Sequence, residues 1–193
     1  MPAPRRPRIE EVPALAVVLT RAFFDDPLFV YLFPDPRLRR DDLPAYFAWL
    51  LADGVDPGAS VKVLTEDLSS AIVWAPRRAL GAATPPHFRT ADVDIRSRLV
   101  GEQDAPGHAG PAGLFFPFIG VTPSHQRTGR GTVLMDALVA DADRLRAPVR
   151  TGTAVAAAVT FLERFGFEVT REIPRTAAGP QRWQLTRPMA TRA

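Results

Sequence analysis

The stretch that decides the fold runs from Val121 to Thr132 and reads VTPSHQRTGRGT. It follows the most hydrophobic run of the chain, Leu114–Val121 (LFFPFIGV), whose length and composition predict a central strand buried on both faces. It leads into Gly129–Ala147, where apolar residues recur at helical spacing. The sequence therefore predicts a buried strand, a tight turn with two glycines and a long helix in direct succession.

The start of this predicted helix is suited to binding an anion, because its first amides lack intrahelical partners and the helix dipole makes this end partly positive. Gly129 and Gly131 let the backbone approach a ligand closely, and Arg127 and Arg130 add positive charge. A pyrophosphate is the natural occupant. The segment is not a P-loop, because no lysine follows the glycines. It does not match the dinucleotide-binding fingerprint either, because Leu134 stands at the position of the third glycine.

The C-terminal half alternates between strands and helices, which predicts an α/β layered domain with a partly parallel sheet. The predicted strands are Leu114–Val121, Val149–Thr153, Phe167–Ile173 and Arg182–Thr186, and the predicted helices are Gly129–Ala147 and Val155–Phe165.

The N-terminal half predicts helices over Glu10–Phe24, Arg37–Asp53 and Ala91–Val100, and a hairpin of Ser60–Leu64 with Ser69–Trp74. The proline-containing segment Asp25-Asp26-Pro27 ends the first helix. The Gly- and Pro-rich segment Gly101–Gly113 predicts a mobile surface loop. We expect one domain over residues 1–193, with residues 1–8 as a flexible arm.

Composition excludes several classes of function. The chain has no cysteine, which excludes disulfides, thiolate metal sites and a cysteine nucleophile, and its three histidines lack metal-ligand spacing, so we expect no metal. No apolar run is long enough to span a membrane, and the N-terminus lacks a signal peptide, so we expect a cytoplasmic protein with no membrane partner. The arginines are interleaved with acidic residues at a net charge of +3, so we expect no nucleic-acid partner.

Several motifs carry a resemblance to a known family. Gln126–Gly131 (QRTGRG) resembles the Q/R-x-x-G-x-G/A acetyl-CoA loop of the GNAT superfamily of N-acetyltransferases, and Phe161–Phe167 (FLERFGF) resembles its F-Y-E-R-x-G-F motif. Ile119–Gln126 and Gly179–Pro188 are similar to puromycin N-acetyltransferase-like members. The resemblance is strong over Leu114–Arg187. It implies a GNAT-like mixed, partly parallel central sheet flanked by helices, with splayed central strands.

The resemblance also implies a function. Acetyl-CoA would be the cosubstrate, and its acetyl group would pass to the amine of a small molecule by direct attack in a ternary complex. Strand residues would hold the pantetheine arm, one of their amides would stabilise the oxyanion, and the loop would bind the pyrophosphate. The implied cofactor-binding residues are Ile119, Gly120, Val121, Gln126, Arg127, Thr128, Gly129, Arg130, Gly131 and Thr132. Dimers are common in this family, so a homodimer is a further expectation.

The sequence departs from the family at three positions that usually transfer protons. Leu162 replaces a tyrosine that protonates the CoA thiolate, Ala158 an asparagine, and Pro117 a glutamate base. General acid–base catalysis is typically worth about 10²–10⁴-fold in rate, so its absence slows the reaction without abolishing it. Two interpretations stay open: a weak N-acetyltransferase, or a catalytically impaired acyl-CoA-binding protein with a sensing or structural role.

The catalytic residues stay unassigned at this point. The segment after the first helix supplies Asp26 and Tyr31 as candidates for binding the acceptor amine. The same reasoning leaves three candidates for the missing proton transfer: Asp26, Tyr31 and Tyr46. Leu162 shares a helical face with Val155 and Val159 and is predicted to be a core residue. Pro117 is predicted to mark either a bulge or an unpaired stretch of its strand.

Overall fold

The structure is a computed structural model that describes residues 3–54, 60–63, 68–76, 87–108 and 113–189. The helices are α1 (Val12–Phe23), α2 (Pro27–Leu32), α3 (Pro36–Gly54), α4 (Val93–His108), α5 (Arg130–Leu145) and α6 (Ala156–Glu163). The strands are β1 (Ser60–Val63), β2 (Ser70–Pro76), β3 (Leu114–Val121), β4 (Val149–Thr153), β5 (Glu168–Ile173) and β6 (Arg182–Arg187). In the described part of the chain, no helix is long and apolar enough to cross a membrane.

The six strands form one sheet in the order β1-β2-β3-β4-β6-β5. β3 and β4 run parallel, and the other neighbouring pairs of described strands are antiparallel, which confirms the predicted mixed sheet. One face of the sheet is covered by a core built from α1, α2, α3 and α4, and the other by a core built from α5 and α6. The two cores therefore pack against opposite faces of β3.

β3 and β4 pair only where they begin, at Leu114 with Val149 and Phe115 with Arg150. Just beyond these pairs, the hydroxyl of Thr151 donates a hydrogen bond of 2.6 Å to the carbonyl of Phe116. β3 then continues to Val121 without further pairing to β4. The splay between central strands is therefore confirmed, and it opens the sheet toward the carboxyl ends of both strands.

Pro117 lies in a bulge of β3. The register with β2 shifts between Val73 and Ala75, so β3 contains one more residue than its partner there. A bulge leaves its extra residue outside the ladder, which suits a residue that has no amide hydrogen. The extra residue also changes which side later side chains face: Phe116 packs in the α5 core, whereas Phe118 packs in the α1 core. The predicted bulge is confirmed.

The segment after α1 forms a short helix that the sequence did not assign. α1 ends before Asp25-Asp26-Pro27, as predicted. The Asp26 carboxylate then caps α2 by accepting a hydrogen bond of 2.8 Å from the amide of Leu28, and Pro27 occupies the first helical position. This cap fixes the place of Asp26 in the molecule.

The predicted surface loop over Gly101–Gly113 is wrong for residues 101–108, because α4 continues to His108; residues 109–112 lie outside the described part. A glycine inside a helix costs about 1 kcal/mol relative to alanine, which burial elsewhere along the helix offsets. Val93 and Val100 supply that burial. Over the described residues, the other predicted elements agree with the structure to within a few residues at their ends, although Leu145, an apolar residue of the predicted helix Gly129–Ala147, is exposed.

The described part of the expected flexible arm, from residue 3, is held by Glu11. Arg5 donates two hydrogen bonds, of 2.7 and 2.8 Å, to the Glu11 carboxylate, and the amide of Arg8 donates a third, of 2.7 Å. The bonds from Arg5, followed by the bond from the Arg8 amide, lower the pKa of Glu11 to about 2. These contacts tie the arm to the start of α1.

Candidate active site

A cavity of about 440 Å³ opens where β3 and β4 separate; we call it the cleft cavity. Its walls are the second half of β3, the end of β4, helix α6 and the α1–α2 turn. The predicted cofactor-binding residues Ile119, Gly120, Val121 and Gln126 line it. The structure thus places the predicted pantetheine segment on the wall of an open cleft.

The loop after β3 is held by its own side chains. The Gln126 amide group donates to the carbonyl of Val121 at 3.2 Å, and the Thr128 hydroxyl donates to the carbonyl of His125 at 2.6 Å. Two residues adopt the left-handed conformation, Arg127 with φ 60° and Gly129 with φ 86°. Glycine reaches this conformation without steric cost, so Gly129 supplies the turn that starts α5.

The amides at the start of α5 are arranged as an anion site requires. The bond from the amide of Val133 to the carbonyl of Gly129 (3.1 Å) opens the helical ladder, so the amides of Gly131 and Thr132 precede it. Arg130 donates to the Ser69 hydroxyl at 2.5 Å, which ties the helix to the start of β2. The six predicted residues from Arg127 to Thr132 therefore lie together beside the cleft cavity, in the turn and in the first residues of α5.

The glycines of this region have different roles. A Cβ on Gly131 would make only an ordinary contact, 3.4 Å from the ring of Phe161. A Cβ on Gly120 would lie 2.6 Å from Leu19 and 3.2 Å from Ala22, both in α1. Gly120 thus favours the close approach of α1 to β3, a packing role that the sequence did not indicate.

A second cavity, of about 370 Å³, lies beyond the splay; we call it the aromatic cavity. Its aromatic lining residues are Phe23, Phe29, Tyr46, Trp49, Phe115, Phe118 and Trp183. The two cavities share six lining residues: Phe23 at the end of α1, Asp26 in the turn that follows, and Pro117, Phe118, Gly152 and Thr153 on the separating strands. A molecule in one cavity therefore meets a molecule in the other across the splayed strands.

Asp26 is the ionisable residue common to both cavities. Burial raises the pKa of its carboxyl above the ordinary value of 3.8, and hydrogen bonds from the amides of Leu28 and Phe29 oppose that rise. Burial also raises the pKa of the Tyr46 hydroxyl to about 12, so Tyr46 stays protonated near neutral pH. Of these two candidates, only Asp26 can accept a proton from a ligand.

The three unusual positions all lie on the wall of the cleft cavity: Pro117, Ala158 and Leu162. Leu162 is 4% exposed and belongs to the α5 core, as predicted. None of these side chains carries a proton that it can exchange. Sequence reasoning missed Thr153, which lines both cavities and whose hydroxyl accepts a bond of 3.1 Å from the amide of Val155.

The structure does not bring Tyr31 to either cavity. Its hydroxyl lies 3.4 Å from the carbonyl of Ala177, between β5 and β6, and the guanidinium of Arg96 lies over its ring. Arg96 also donates to the carbonyl of Tyr31 at 2.7 Å. These contacts give Tyr31 a packing position, and its predicted role in binding the acceptor has no support from the geometry.

Solved structures share this fold across their whole length. An acetyltransferase from Corynebacterium glutamicum, described as histone acetyltransferase HPA2 and related acetyltransferase, aligns with a TM-score of 0.72 at 17% identity, covering 99% of this chain and 98% of its own. An agmatine N-acetyltransferase aligns with a TM-score of 0.65 at 14% identity, covering 95% and 97%. A GNAT-family protein from Desulfovibrio desulfuricans aligns with a TM-score of 0.58 at 17% identity, covering 95% and 94%.

No family model matches the sequence. At these low identities, the structural likenesses establish the fold. The chain has the GNAT fold, in which β3 and β4 splay around the cleft described above. The similarity to puromycin-type members stays a prediction.

Proposed function

We propose that the protein transfers the acetyl group of acetyl-CoA to the amine of a small molecule. The observation that carries the proposal is the meeting of two cavities at the β3–β4 splay, one of which begins beside the start of α5. Direct transfer needs such an arrangement, because the thioester and the amine must reach each other without a covalent enzyme intermediate. The GNAT fold and the loop motif support the same assignment.

The cleft cavity would hold the pantetheine arm and the thioester. The segment from Arg127 to Thr132, which is exposed over its first three residues, would bind the pyrophosphate through the amides that precede the helical ladder of α5, with Arg127 adding charge. An amide of β3 between Ile119 and Val121 would stabilise the oxyanion that forms during attack.

Asp26 would bind the acceptor as its ammonium ion and take one proton from it. The neutral amine then attacks the thioester carbonyl carbon, the new C–N bond forms, and the C–S bond breaks to release CoA thiolate. The second amine proton leaves to the thiolate or to water. Asp26 suits this role because it is half-buried, lines both cavities and keeps a hydrogen-bonded carboxylate at the start of α2.

Two measurements test this function together. Calorimetry with CoA should show binding, and a thiol-release assay with acetyl-CoA and a panel of amines should show turnover for at least one amine. Absence of CoA binding would remove the proposal altogether.

A second function is favoured by one observation: Pro117, Ala158 and Leu162 leave the cleft wall without the usual proton-transfer side chains. In that case the protein binds an acyl-CoA and acts as a sensor or a structural component. CoA binding without thiol release from any amine would favour it. Creation of activity by Leu162→Tyr in a protein that had none would favour it further.

A further inference from the structure

We propose that the acceptor is a monoamine carried on an aromatic or similarly bulky apolar body, with the body in the aromatic cavity and the ammonium group at Asp26. This inference rests on the proposed function and adds the chemical class of the substrate. It follows from the lining, the size and the charge of the cavity, and from where Asp26 lies in it.

The lining forms a connected aromatic surface. The ring centroids of Phe29 and Tyr46 lie 5.7 Å apart, and those of Tyr46 and Trp49 lie 5.9 Å apart. The ring of Phe23 lies 5.4 Å from that of Phe29 and brings this surface to the shared boundary with the cleft cavity. Aromatic side chains favour stacked and edge-to-face contacts with another ring, so the surface favours an aryl group over a flexible polar chain.

The size of the cavity limits the acceptor to a small molecule. Small-molecule sites commonly have volumes of about 300–1,000 Å³. The aromatic cavity, at about 370 Å³, lies at the lower end of that range. It suits a compact body of one or two rings.

The charge of the cavity favours a single ammonium group. Among the described residues that line it, Asp26 is the one carboxylate, and Arg182 is the basic residue. Asp26 lies at the boundary with the cleft, so an ammonium group paired with it is directed toward the thioester. A second ammonium group on the same molecule would enter an apolar region without a carboxylate among these residues, which is unfavourable. Diamines and guanidino amines are therefore poor acceptors.

The test compares 2-phenylethylamine with agmatine and putrescine at a fixed acetyl-CoA concentration, using kcat/KM from thiol release. We expect kcat/KM for 2-phenylethylamine to exceed both others by about tenfold or more, because each of the others brings a second cation into an apolar region without a carboxylate. A tenfold difference corresponds to about 1.4 kcal/mol. Equal or better use of agmatine or putrescine would overturn this inference and leave the proposed acetyl transfer intact.

Binding of the same amines to the protein–CoA complex separates this inference from the proposed function. Where no amine releases thiol, the transferase proposal fails, and calorimetry still tests the cavity. Tighter binding of 2-phenylethylamine than of putrescine supports the inference, and equal binding or tighter binding of putrescine contradicts it.

A pair of variants tests the position of the aryl group. Trp49→Leu removes an aromatic wall of the cavity and should raise the KM or Kd for 2-phenylethylamine about tenfold while CoA binding is unchanged. Phe33→Leu is the matched control, because the ring centroids of Phe33 and Tyr46 lie 5.9 Å apart but Phe33 does not line the cavity. Where Trp49→Leu does not fold, Trp49→Phe gives a smaller shift in the same direction. An unchanged KM in folded variants of Trp49 would contradict the assignment.

Discussion

The proposed cofactor side and the proposed acceptor side of this site are built in different ways. The cofactor side is one continuous segment, Ile119–Thr132, in which a strand, a turn and a helix follow each other along the chain. The acceptor side brings together α1, α2, α3 and β6 through long-range packing. A local motif is readable in a sequence, whereas a cavity between distant elements depends on how those elements pack. The predictions below test this contrast, from the largest expected effect to the smallest.

Asp26→Asn should have the largest effect and should act only on the acceptor side. We expect kcat/KM for the amine to fall by about 10²–10⁴-fold, because the site loses a proton acceptor. Steady-state thiol release and CoA calorimetry measure the two sides separately, and CoA affinity should not change.

Asp35→Asn is the matched control for this prediction. Asp35 also accepts a bond from a backbone amide near a helix start, from Arg37 at 2.7 Å, but it lines neither cavity. Equal losses of activity in the two variants would show that Asp26 acts through helix capping, and full activity of Asp26→Asn would exclude it as the proton acceptor.

Gly129→Val should act on the cofactor side. A branched side chain is strained at φ 86° and would obstruct the approach of a phosphate to the start of α5. We expect CoA affinity to fall well over tenfold in calorimetry, and Gly131→Val to weaken it as well. Gly101→Ala is the control, since nothing lies within 4 Å of the added Cβ. A folded Gly129→Val protein with unchanged CoA affinity would contradict the assignment.

Gly120→Ala tests the boundary at which the two sides meet. The added Cβ would lie 2.6 Å from Cδ2 of the buried Leu19 and 3.2 Å from Cβ of Ala22, so the Leu19 side chain or α1 itself must shift. Overpacking of this kind typically costs about 1–3 kcal/mol, which thermal or denaturant unfolding would detect. Gly152→Ala is the control, because its added Cβ lies 3.6 Å from the carbonyl of Trp183, an ordinary contact. Equal stability of both variants would show that α1 tolerates the movement.

The smallest expected effect concerns Glu11, which belongs to neither the cofactor side nor the acceptor side. The pKa of Glu11 is lowered to about 2, below its ordinary value of 4.5, so its contribution to stability is present above 4.5 and is lost as the pH falls toward 2. Glu11→Gln should therefore reduce the Tm at pH 6 and flatten its decline at acid pH. Glu10→Gln, whose carboxylate is exposed and paired with Arg8 at 3.2 Å, should change the Tm much less. Parallel curves for both variants would contradict this.

The sequence predicts the local structure of the proposed cofactor side well, because each of its determinants is local. The apolar run of β3, the turn glycine Gly129 and the amphipathic face of α5 all lie within the same stretch of chain. A bulge at Pro117 was one of the two predictions for that position, because proline cannot donate to the ladder. The stretch alone does not show that Gly120 packs closely against Leu19 and Ala22 of α1.

The structure of the proposed acceptor side is harder to predict from the sequence, because its residues come from elements that are distant along the chain. Asp26 could be selected by its position in the chain, but Tyr31, selected in the same way, packs against Arg96 and Ala177 instead. Trp49 and Trp183 come from distant elements, and nothing local indicates that they line the same cavity. The glycine and proline content of Gly101–Gly113 predicts a loop, whereas tertiary packing of α4 stabilises a helix as far as His108.

The most direct test of the central claim is a crystal structure of the protein with acetyl-CoA. The account predicts the pyrophosphate on the amides that open α5, between Arg127 and Thr132, with the pantetheine arm along β3 and the thioester at the β3–β4 splay. An empty loop in crystals that hold the cofactor elsewhere, or a different ligand bound there, would contradict it.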